Sequence, residues 1–165
     1  MRNTILLLLF ALSLNAQRNV SLAIYQDVKL LTIGDGYYET GTINLIARIK
    51  MQGHQQKYGY MIVYPEFEYA QIEGNYKRYS LNVGYTFNKL FLRNVETSLQ
   101  GGYGWIDRYG RTTFSASANG EIAYNISDKI KINLLAQFTH RTDLKLLYND
   151  NVIRFSGFLG LEYNL

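Results

Sequence analysis

The chain has 165 residues, with 17 Lys and Arg against 13 Asp and Glu, no cysteine, one Pro, 15 Tyr and 14 Gly. Its length is that of one domain, and the lack of cysteine excludes a disulfide scaffold or a lipid-modified cysteine anchor. A formal charge of +4, or +3 once Arg2 leaves with a signal segment, is too small for the concentrated basic face of a nucleic-acid binder.

Met1 to Ala16 reads as a cleaved signal peptide. Arg2 is the positive n-region, Ile5 to Leu12 the apolar h-region and Leu14-Asn15-Ala16 the small-residue cleavage site. The h-region is too short to span a bilayer, which takes roughly 20 apolar residues. Residues 17–165 then form the mature domain.

Eight strands are expected in that domain, near Val20 to Val28, Thr40 to Met51, Tyr58 to Ala70, Tyr76 to Phe87, Val95 to Asp107, Thr112 to Ile126, Ile130 to Arg141 and Val152 to Leu165. Turn signals separate them: Gly34-Asp35-Gly36, Gly53, Gly74-Asn75, Asn88 and Asn94, Tyr109-Gly110, Ser127-Asp128-Lys129 and Asn149-Asp150-Asn151. The strands alternate with period two. Tyr79, Leu81, Val83, Tyr85 and Phe87 oppose Arg78, Ser80, Asn82, Gly84 and Thr86, and Ile130 to Arg141 splits the same way with Leu135 as its exception. Abundant Tyr with a single Pro suits such strands, because Tyr packs on a pleated surface and Pro interrupts a ladder.

A repeat runs through this pattern. VGYTF, IAYNI and LEYNL, centred on Tyr85, Tyr124 and Tyr163, lie 39 residues apart, since 124 − 85 and 163 − 124 are equal. That interval is the length of one large hairpin. All three copies end even-numbered strands, which is the periplasmic end of an eight-stranded meander that starts in the periplasm. Tyr85, Phe87, Tyr124 and Tyr163 are therefore expected in an aromatic girdle at that interface.

Strands of this length and number fit an eight-stranded antiparallel up-and-down transmembrane β-barrel, all-β in class, whose closure satisfies every backbone group in lipid. A soluble periplasmic ligand-binding barrel has the same period but turns its apolar face inward. The charges on the polar face favour the membrane form. Arg48, Lys50, Glu66, Glu68, Arg78, Glu96, Glu121, Lys131, Arg141, Arg154 and Glu162 would all point into the lumen, in near balance of sign.

On the alternating strands, the tight Asn125-Ile126-Ser127-Asp128-Lys129 turn and the closing strand Phe155, Gly157, Leu159, Leu161, Tyr163, Leu165, the chain resembles small eight-stranded outer-membrane barrels of the OmpA and OmpX type. The resemblance implies residence in the outer membrane of a Gram-negative bacterium and a lumen filled by side chains, without a large pore. It also implies contact with outer-membrane lipid and lipopolysaccharide, and with the insertion machinery through the C-terminal strand. Such barrels usually finish on Phe; this one ends on Leu165, which keeps the apolar outward position.

Enzymatic chemistry finds little support. His54 sits in a polar turn, whereas Phe138-Thr139-His140-Arg141-Thr142-Asp143 faintly resembles the F-x-H-x-S-N motif of outer-membrane lipid A deacylases, with Thr142 for the Ser and Asp143 for the Asn. A lipid A-modifying hydrolase with His140, Thr142 and Asp143 as catalytic candidates is the alternative this resemblance implies; the favoured reading is no enzyme. No His, Cys, Asp or Glu cluster has ligand spacing, so no metal and no cofactor is expected.

The remaining candidates are two extracellular loops. Residues 29–39 carry Leu30, Leu31, Ile33, Tyr37 and Tyr38, and residues 142–151 carry Leu144, Leu146, Leu147 and Tyr148. They would either meet an extracellular partner or, as the preferred reading, extend the strand ladder. Lys29, Arg108, Arg111, Arg141 and Lys145 nearby are expected to face lipopolysaccharide phosphates.

Overall fold

A computed structural model describes residues 19–34, 40–72, 75–88, 94–149 and 151–165. The expected signal segment lies outside the described residues, as do Asp35, Gly36, Tyr37, Tyr38, Gly74, Asp150 and the Tyr148 side chain. The strands are β1 (Asn19–Asp27), β2 (Asn44–Gln52), β3 (Gly59–Ala70), β4 (Tyr76–Asn88), β5 (Val95–Arg108), β6 (Arg111–Asn125), β7 (Ile130–Arg141) and β8 (Ile153–Asn164). Each pairs antiparallel with the next, and β8 pairs with β1, Leu22 standing opposite Tyr163, to close the barrel. Seven of the eight expected strands are met within one residue of each end; β2 starts at Asn44, four residues later than expected.

That late start has a physical cause. Where the ladder was expected to continue, the chain forms a short helix, α1 (Val28–Thr32), and a second, α2 (Thr142–Tyr148), replaces the extension between β7 and β8. The Asp27 carboxylate accepts the Leu30 N–H at 3.0 Å, an N-cap that turns the chain out of β1, and Leu30 is buried. In α2, Asp143 and Leu144 are buried, and Asn149 ends the helix in the left-handed region at φ 52° with its N–H on the Leu144 and Lys145 carbonyls. The preferred reading of both loops as strand extensions is thus corrected.

Local choices elsewhere agree with the closed sheet. Tyr109 and Gly110, at φ 51° and 68°, make the two-residue turn that joins β5 to β6, a geometry that matches the twist of its strands. Pro65, the single proline, faces outward on β3, and the β2–β3 ladder is interrupted between the Arg48–Glu66 and Met51–Val63 pairs, where Pro65 has no N–H to give. At Gly160 an added Cβ would fall on the Tyr25 ring, so this glycine is what lets Tyr25 turn into the barrel.

Burial alternates along the strands: in β3, Ile62, Tyr64, Glu66 and Glu68 are buried while Met61, Val63, Pro65 and Phe67 are exposed. The sense is inverted relative to a soluble barrel: the buried, inward set holds Arg, Lys, Glu, Asn, Gln and Ser, while Leu22, Ile24, Leu81, Val83, Leu99 and Leu134 face out. Among the described residues the apolar clusters inside are small, one of them Ala23, Tyr25, Ile46, Leu135 and Phe158. Leu135, the exception to the alternation of β7, is thereby an interior contact.

Candidate functional site

The inward faces of eight strands converge on a ladder of ion pairs. Glu66 accepts Arg48 Nε at 2.7 Å and Arg78 Nη1 at 2.6 Å; Glu121 accepts Arg48 Nη1 at 3.1 Å, Lys50 Nζ at 2.5 Å, Gln100 at 2.9 Å and the Tyr25 hydroxyl at 3.0 Å. Lys50 also reaches Glu162 at 2.6 Å, which accepts Ser21 at 2.7 Å and Asn133 at 2.9 Å. Nearer the chain termini, Lys131 meets Glu96 at 2.9 Å, with the Tyr60 hydroxyl donating to the same oxygen. Beside them a cavity of about 20 Å³, room for roughly one water, is lined by Lys50, Glu96, Lys131 and Glu162.

Arg48 is the hub. Its guanidinium lies 4.8 Å from the ring centroids of both Tyr25 and Tyr64, so two aromatic faces share a cation that two carboxylates also hold. The two tyrosines reach it from β1 and β3, across β2.

At the opposite end, toward the longer loops, a separate cluster closes the mouth. Asp143, on α2, accepts Arg141 Nη2 at 2.6 Å and Arg108 Nη1 at 3.3 Å, and the Arg141 guanidinium sits 4.1 Å above the Tyr76 ring. Tyr76 donates to Glu68 at 3.4 Å, and Arg78 lies 3.6 Å from Glu68, so this cluster connects to the central ladder. Burial pushes the Asp143 carboxyl up, but the hydrogen bonds and charge of Arg141 and then Arg108 outweigh it, and the net shift is below the ordinary aspartate range.

Of the residues expected in the lumen, Arg48, Lys50, Glu66, Glu68, Arg78, Glu96, Glu121, Lys131, Arg141 and Glu162 are brought together in these contacts. Arg154 stands opposite Thr139 and is exposed at the loop-end rim. Arg108 and Asp143 join the ladder from outside the expected set. Arg108 and Arg141 therefore turn inward to Asp143 rather than outward to lipid phosphates, while Lys29, Arg111 and Lys145 remain exposed.

The hydrolase candidates do not assemble. Thr142 Oγ1 donates to the Phe114 carbonyl at 2.7 Å and is 3.4 Å from His140 Nδ1, and both residues lie on the outside. Asp143 is turned into the lumen between two arginines, so it does not orient the imidazole; Asp150 lies outside the described residues.

The outer wall carries two aromatic rows. Tyr85 and Phe87 (ring centroids 4.9 Å apart), Tyr124 and Tyr163 face outward near the termini. A second row was not foreseen: Phe67, Tyr79, Trp105 and Phe114 are consecutive cross-strand partners, each three residues inside the loop end of its strand (70 − 67, 79 − 76, 108 − 105, 114 − 111). Every member fits its own strand's alternation, and only the register aligns them. Just beyond the row, Lys77 and Asp107 pair across β4 and β5 as the first outward charges on those strands.

No protein-family model matches the sequence, and no curated protein does. Among solved structures, the chain is similar to the outer membrane protein Ail of Yersinia pestis in a phospholipid bilayer nanodisc, at 15% identity over 89% of this chain and 99% of that chain, with a TM-score of 0.56. It is similar also to a de novo designed transmembrane β-barrel, at 10% identity over 89% and 95%, with a TM-score of 0.55. At these identities the likeness is one of fold: a closed eight-stranded antiparallel up-and-down barrel. A natural protein and a design share it, so the architecture alone carries no particular activity.

Proposed function

We propose that the chain is an integral outer-membrane β-barrel with a structural or surface-interaction role, a lumen plugged by side chains and no enzymatic activity. The inversion of the barrel carries this reading. Charges that a soluble barrel would leave in water are paired inside, and the wall between the two aromatic rows is apolar, as hydrocarbon requires. The aromatic rows at either end of that wall suit the two membrane interfaces, with Tyr85, Phe87, Tyr124 and Tyr163 at the periplasmic one. In this orientation residues 1–16 are the cleaved signal, β8 with Leu165 beyond it engages the insertion machinery, and α1 and α2 lie outside the cell.

Among the described residues, ion pairs join six cations (Arg48, Lys50, Arg78, Arg108, Lys131, Arg141) to six carboxylates (Glu66, Glu68, Glu96, Glu121, Asp143, Glu162). A balanced, cross-linked interior supports a plug rather than an ion-selective path. With the Asp143 carboxylate turned away from His140 and the Thr142 hydroxyl given to the Phe114 carbonyl, the hydrolase alternative is disfavoured. The test is fractionation with heat-modifiable gel migration: the folded barrel is expected in the outer-membrane fraction and to run differently before and after boiling. Recovery in the soluble periplasmic fraction, with one migration position, sinks the membrane reading.

A further inference from the structure

We infer that the outer wall holds a seat for one acyl chain of a phosphorylated outer-leaflet lipid, with Lys29 at the headgroup end; this rests on the membrane reading above. The seat is a groove of about 710 Å³ across β5 to β8. Its floor is Gly120, Ala136 and Gly157, which are successive cross-strand partners, and Leu99 and Leu134 stand beside it. The floor is low because outward positions that elsewhere hold Leu, Ile or Phe hold almost no side chain here.

The groove is oblique, and its direction selects the occupant. Counted from the termini end of each strand, Leu99, Gly120, Ala136 and Gly157 lie four, five, six and seven residues in (99 − 95, 125 − 120, 136 − 130, 164 − 157). The row thus climbs toward the loop end, where Lys29 on α1 lines the groove and is exposed. A long apolar trough that ends on a cation at the outer interface matches a hydrocarbon chain with an anionic phosphate at its head. A second copy of the barrel fits less well, because a two-fold axis would place two concave faces opposite each other and leave a void.

The glycines also provide a clean variant. An added Cβ at Gly120 or Gly157 meets nothing within 4 Å, so Gly120→Leu/Gly157→Leu places its side chains in the open trough. The experiment is native mass spectrometry of the full mature barrel in micelles, titrated with dioleoyl phosphatidic acid, dioleoylglycerol or inorganic phosphate, with folding checked by heat-modifiable migration. One phosphatidic acid is expected per wild-type barrel, held roughly tenfold less tightly by the double glycine variant and about fivefold less by Lys29→Gln. Equal retention by wild type and double variant overturns the seat, and equal retention of dioleoylglycerol overturns the role of Lys29. A barrel dimer lost in the double variant assigns the groove to a second copy and overturns the lipid. Soluble, non-modifiable protein overturns the membrane reading and the seat with it, whereas a folded, heat-modifiable barrel that holds no phosphatidic acid overturns the seat alone.

Discussion

The centre of the lumen and its loop-end mouth use the same ion chemistry for different ends. In the centre, Glu66, Glu121 and Glu162 each bind partners from several strands, and the Ser21–Glu162 and Lys50–Glu162 bonds join residues 141 and 112 positions apart. At the mouth, Asp143 is carried by a seven-residue helix and one of its two arginines is only two residues away. The central network occupies the place a hydrophobic core would have in a soluble domain, whereas the mouth cluster fastens a connection to a barrel that is already closed. Burial alone does not distinguish them, since Glu121 is 4% exposed and Asp143 2%. What differs is how much of the fold each carboxylate ties together.

Removal of a central carboxylate should therefore have the largest effect. Glu121→Ala strands Arg48 and Lys50 without one of their counter-charges, in a site where water cannot enter freely. Breaking a buried pair from one side costs on the order of 3–5 kcal/mol. The readout is the temperature at which the folded band converts to the unfolded one on a detergent gel. A loss no larger than that of Asp143→Asn would erase the proposed distinction between centre and mouth.

The contrast was only half legible from the residues. Period-two alternation placed Glu66, Glu121, Lys131 and Glu162 on one face because each strand is long enough for the pattern to be unambiguous. Nothing local could show that Asp143 would reach Arg108, 35 positions away, since that contact depends on a helix of seven residues, too short for a 3.6-residue period to declare itself. Tyr64 shares the parity of Glu66 and Glu68, so its face was legible, but the convergence of Tyr25 and Tyr64 on Arg48, with Gly160 leaving room for the Tyr25 ring, spans three strands and was not. The Phe67–Tyr79–Trp105–Phe114 row depends on register, which the Tyr109-Gly110 turn sets for its last two members.

At the mouth, Asp143→Asn should cost less, about 1.5–3 kcal/mol for hydrogen bonds to charged groups, and should loosen α2 while the barrel stays closed. Acid should do the same to the wild type. The folded carboxyl titrates below its unfolded value, so its contribution is present above about pH 3.9 and is lost as pH falls through the lower folded value. Pepsin, active throughout this range, should cleave the wild type within α2 slowly at about pH 4.5 and faster once the pH is well below 3.9; the Asn variant should be cleaved at both. Equal cleavage of wild type and variant at the higher pH would mean that Asp143 does not fasten the helix.

His140 marks the low end of the scale. It lies one residue from Arg141 and three from Asp143, yet its imidazole is on the outer side of the wall, exposed, with Thr142 Oγ1 3.4 Å from its Nδ1. The Thr142 hydroxyl already has a shorter bond to the Phe114 carbonyl, so removal of the imidazole leaves no buried group unsatisfied. His140→Ala should accordingly change stability by no more than about 0.5 kcal/mol, the range of surface substitutions, and leave the acylation of lipid A in the expressing cells as it was with the wild type. A lipid A acyl change produced by the wild type and abolished by the variant would reverse the assignment of inside and outside roles, because the chemistry would then sit on the wall and not among the charges it encloses.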